Sequence, residues 1–225
     1  MLQACAPGTA NTLFIVSNGD KSVFAPNYQC EAYLATDPNT AELYLSDIPA
    51  SRLTDSKDTL DTARGSIIHI HLFLYPSAGS TPVDPTACNI TIRQLVLAGP
   101  ATGLYGGGGF VLPDGDIGDK RVSGTIRQAS VRMIRSTADF HDPIGPGSLS
   151  GEFSTPRNDA LAKTISARID SLLARLPPPA TGSAEDTEME NSLRLKAKPD
   201  AQSPDSDDAP PPPKKSGPSP PATPK

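Results

Sequence analysis

Three histidines are the side chains best suited to chemistry in this chain. His69 and His71 lie two residues apart in the run Ser66–Tyr75, where apolar residues dominate both alternate sets of positions. A strand turns successive side chains to opposite faces, so both imidazoles leave the same face, one pleat apart. Two nitrogens so placed can converge on one metal ion. His141, followed by Asp142, offers a third, and three nitrogens with a water make a workable zinc site. The plainer reading keeps His69 and His71 as ordinary residues of a strand buried on both faces, and it is the one adopted. A metal protein or small enzyme using His69, His71 and His141 stands as the alternative.

Other candidates are weaker. Gly106-Gly107-Gly108-Gly109 is followed by Phe110-Val111-Leu112-Pro113, which is strand-like. A phosphate-cradling loop needs a helix N-terminus there. The run therefore reads as a hairpin tip or bulge between two strand stubs. Asp114, Asp116 and Asp119 with Gly115 and Gly118 have the composition of a calcium loop but not its spacing, and read as an Asp/Gly turn. No G-x-S-x-G elbow exists, since Gly147-Ser148-Leu149-Ser150-Gly151 is a different pattern. No catalytic residue and no cofactor is assigned. The chain has three cysteines, Cys5, Cys30 and Cys88, and no C-x-x-C. Cys30 and Cys88 each lie beside or within an expected strand, which suits an inter-strand disulfide. Two buried thiols are the alternative.

The elements that must position these residues are mostly strands. Thr12–Val16 and Val23-Phe24 flank Asn18-Gly19, a strong hairpin signal. Strands follow at Tyr28–Leu34, Ala41–Leu45, Ser66–Tyr75, Asn89–Ala98, around the glycine run, over Val122–Arg135 and near Leu149–Phe153. Residues 49–64 read as a loop with one helical turn. Many short strands separated by Gly/Pro turns predict a mainly β domain, an antiparallel β-sandwich over 12–155. The period then changes. Leu161, Ile165, Ile169, Leu172, Leu173 and Leu176 share one helical stripe. An amphipathic helix is predicted over 156–176, with Thr155 as N-cap, Pro156 at its first position and Pro177-Pro178-Pro179 ending it. Its stripe is expected to dock on its own domain.

Composition sets the remaining limits. Of 25 prolines, 13 lie at or after Pro177. Such a segment cannot bury enough apolar surface to offset its chain entropy, so residues 177–225 are expected to form a disordered, proline-rich tail. Net charge is −5, of which the tail supplies −2 from 8 acidic and 6 basic residues. No Lys/Arg stripe is visible in the linear sequence, which argues against nucleic acid as a partner. A protein partner bound through the helix or tail is the remaining interaction reading.

Two short stretches resemble known families. Leu2-Gln3-Ala4-Cys5 resembles the lipobox of bacterial lipoproteins, although the charged and apolar regions of a signal peptide do not precede it. The resemblance implies lipid on Cys5, a short tether over residues 1–11, and membrane attachment in the cell envelope; a cytoplasmic protein with a chance cysteine is the alternative. Gly65-x-x-x-His69-x-His71 resembles the first cupin motif, but no Glu follows at that motif's distance and the second motif is missing. The resulting expectation is a non-enzymatic, lipid-anchored envelope protein with a binding or structural role.

Overall fold

The computed structural model describes residues 11–76 and 88–178. Leu2–Cys5 and the tail beyond 178 lie outside these. Among the described residues nine strands form one antiparallel sheet. They are β1 (Phe14–Ser17), β2 (Val23–Phe24), β3 (Cys30–Asp37), β4 (Thr40–Ser46), β5 (Arg64–Leu72), β6 (Ile90–Ala98), β7 (Ala101–Asp114), β8 (Arg121–Ser136) and β9 (Gly147–Pro156). From β3 to β9 the sheet is a meander. β1 then adds to β9, and β2 to β1 through the Asn18-Gly19 hairpin.

The mainly antiparallel β fold with its helix is as expected, but two packed sheets are replaced by one sheet that curls. Its curl brings β3 to the end of β9, where Tyr33 and Arg157 form a parallel bridge and the Asn158 amide donates to the Tyr33 carbonyl at 3.0 Å. The sheet thus has an inner and an outer face. Leu43, Ile68, Ile70, Ile92, Tyr105, Val131 and Phe153 point inward into one core. The alternate residues Ile67, Leu95, Leu97 and Leu104 point outward into a second. A curled sheet satisfies the same alternation as a sandwich, because its own opposite wall supplies the second layer.

The outer core is covered by α2 (Asp159–Ala174), which buries Ala162, Ile165, Ile169 and Leu172, and by the short α1 (Ala50–Thr54). The helical stripe is spent on its own sheet. Asn158, not Thr155, caps α2: its side chain accepts from the Leu161 amide at 3.1 Å. β9 continues through Pro156, so the proline ends a strand instead of starting the helix. At the other end Arg135 of β8 donates to the carbonyls of Leu173, Leu176 and Pro177, each at 2.8 Å. It satisfies groups that a helix C-terminus leaves open.

The glycine run is the clearest departure from expectation. It lies in the middle of β7, one unbroken strand. A Cβ on Gly107 would meet the Ser130 carbonyl oxygen at 1.7 Å, and one on Gly109 would meet the Ala129 Cβ at 2.4 Å. The glycines let β7 and β8 approach as the sheet bends.

Candidate functional site

Register places the polar cluster. On the outer face Glu42 of β4 opposes His71 of β5, and Tyr44 opposes His69. His69 Nε2–H donates to Glu42 Oε2 at 2.5 Å and His71 Nδ1–H donates to Glu42 Oε1 at 2.8 Å. An ionised carboxylate only accepts, so it fixes both rings as donors at those nitrogens. The Tyr44 ring stacks on His69, with centroids 4.7 Å apart and planes 6° from parallel. Burial raises the Glu42 carboxyl, but the hydrogen bonds and charges of His69 and His71 outweigh it and hold the group below its ordinary range.

Glu42, Tyr44 and His69 floor an open groove of about 410 Å³ whose far wall is α2, contributing Lys163, Ser166 and Asp170. His69 and His71 therefore share a face, as the alternation required. Their partner is Glu42, which sequence reasoning missed because the pairing of β4 with β5 is a tertiary fact. His141 does not join them. It is exposed in the loop after β8, beside Asp142, whose Oδ1 accepts from the amides of Ile144 at 3.0 Å and Gly145 at 2.8 Å and from the Tyr105 hydroxyl. That loop is anchored by Phe140 and Ile144 in the inner core. The three-histidine metal site is thus not assembled, and among the described residues no group of three ligating side chains is arranged to hold a metal ion.

Cys30 and Cys88 are not bridged. Across the sheet Cys30 aligns with Ser46, Ile67 and Leu95. Cys88 lies seven residues before Leu95, about 23 Å along the strand direction, and three strand spacings away, about 14 Å. A disulfide tolerates Cα atoms only about 7 Å apart. Cys30 is buried in the outer core. Cys88 is exposed, and its thiol donates to the Ile90 carbonyl at 3.1 Å. The Asp114–Asp119 segment is a turn, with Gly115 and Gly118 at φ +82° and +109° and the Asp119 amide donating to the Asp116 carbonyl at 3.2 Å.

One feature was invisible in the linear sequence. Strands β6–β9 carry Arg93, Arg121, Arg127, Arg132 and Arg135 against only Asp114 and Glu152. The inward positions of β8 are Val122, Gly124, Ile126, Ala129 and Val131, so the arginines all leave the outer face. Their spacing of six, five and three hides the alternation, because β8 slips register between Ile126 and Ala129 and again opposite Leu104/Tyr105. No protein-family model, curated protein or solved structure matches the chain.

Proposed function

We propose that this chain is a non-enzymatic binding protein of the cell envelope, held at a membrane by lipid on Cys5. The observation that carries the binding reading is the division of labour between the sheet's two faces. The inner face packs apolar side chains against one another across the curl. The outer face and α2 gather Glu42, His69, Lys163 and Asp170 around an open groove, with Arg93 of β6 paired across from His69. Recognition from outside the curled sheet fits that arrangement, because convergent polar groups on a rigid scaffold orient a ligand. The carboxylate between the two histidines stiffens the groove floor.

The envelope half rests on Leu2-Gln3-Ala4-Cys5. Diacylglycerol on the sulfur and a third acyl chain on the new amine would give stable anchoring where a single chain gives only marginal binding. Mass spectrometry of the amino-terminal peptide from isolated membranes tests it. The expected species begins at a triacylated Cys5. An unmodified Cys5, or a peptide that retains Met1, overturns the anchor.

A further inference from the structure

We propose that the outer face centred on β8 is a docking surface for the anionic phospholipid headgroups of a membrane. The chain carries net charge −5, yet this face is basic. Arg121, Arg127, Arg132 and Arg135 follow one another along β8, and Arg93 of β6 aligns with Arg132 across Gly106. The ion pairs that arginines make among the described residues lie elsewhere, at Arg52–Asp58, Arg157–Asp159 and Arg175–Asp61. Arg121 donates to Ser154 and lies near Glu31, and Arg135 donates to the Leu173 carbonyl. Arg93, Arg127 and Arg132 are exposed.

Shape and polarity select a membrane among anionic partners. The outside of a curled sheet meets a plane along a strip, and the arginines of β8 run down such a strip for about 45 Å. On the same strand Ile134 is 47 % exposed and its side chain lies over Gly106, between Arg93 and Arg132, so an apolar side chain stands among the cations. That combination suits the boundary between headgroups and acyl chains, where arginine stems lie along apolar surface with their charges at the phosphates. The inference deepens the envelope reading, since a lipid chain and a basic patch act together as two membrane signals.

The test uses the full chain with Cys5→Ser, so that acylation plays no part. The protein is sedimented with vesicles of phosphatidylcholine alone or mixed with phosphatidylglycerol. Binding to the mixed vesicles alone is expected, and it weakens as salt rises. Arg93→Gln, Arg127→Gln and Arg132→Gln together should lower the partition coefficient about a hundredfold, at about fivefold per arginine. Arg64→Gln, at the start of β5, should leave it unchanged. Equal binding to neutral vesicles overturns the proposal, as does undiminished binding by the triple variant or capture by soluble polyphosphate without capture by vesicles. Because Cys5 is replaced, failure here leaves the anchor standing, and failure of the anchor leaves this surface standing.

Discussion

Glu42 is the residue on which the groove floor turns. Its side chain is 23 % exposed and accepts from two imidazoles, so the carboxylate is a structural hub. Its folded-state pKa lies below the ordinary 4.5. A depressed carboxyl stabilises the fold above its unfolded pKa, and that contribution fades as pH falls from about 4.5 through the lower folded value. Glu42→Gln should therefore cost about 1–2 kcal/mol at pH 7 and less at pH 3, as read by urea unfolding at both pH values. A loss that is the same at both would place the effect in packing alone. Asp142 shows the same logic in a loop. Burial opposes its charge, but the Tyr105 hydroxyl and the amides of Gly145 and Ile144 hold it below the ordinary range. The same pairing, added to burial, drives the Tyr105 hydroxyl far upward. Tyr105→Phe removes one donor and leaves two, so a loss of about 1–2 kcal/mol is expected in thermal unfolding, without loss of the fold.

At the scale of elements, the contact of β7 with β8 and the seating of α2 carry the architecture. At Gly107 the obstacle to a side chain is the Ser130 backbone, which cannot rotate away. Gly107→Ala should cost more than about 3 kcal/mol or prevent folding. Gly19→Ala, in the β1–β2 turn, meets nothing closer than the Ser17 hydroxyl at 3.7 Å and should stay within about 0.5 kcal/mol of the parent. Chemical denaturation of the two variants side by side checks the contrast. α2 is seated by its apolar stripe and closed at its end by Arg135. Ile165→Ala should cost about 2–5 kcal/mol through the cavity it opens, and Arg135→Ala about 1–2 kcal/mol through the carbonyls it abandons. Loss of far-ultraviolet helical signal ahead of the β signal in the Arg135 variant would mark the helix end as the weak point.

For the whole molecule, one sheet wraps an inner core and wears a helix over part of its outside. No covalent link joins Cys30 to Cys88, which the sheet holds far apart. Alkylation of the native protein without reductant should label the exposed Cys88 quantitatively. Cys88 that reacts only after reduction would contradict its separation from Cys30.

Alternation and turn chemistry by themselves determined most of the elements. Asn18-Gly19 marked the first hairpin, and the doubly apolar run around His69 marked a central strand. The 3.6-residue recurrence from Leu161 to Leu176 marked the helix. These are local signals, set by side-chain direction along a strand or helix. What tertiary structure alone decided is non-local. Strand pairing brought Glu42 between two histidines and left His141 on another loop. Register offset by bulges lined up arginines whose spacing follows no simple period. Whether alternating strands form two sheets or one curled sheet depends on how closely neighbours approach, and at Gly107 and Gly109 of β7 the missing side chains let β8 come near. No local pattern encodes such distances, because they arise from pairing residues far apart in the chain.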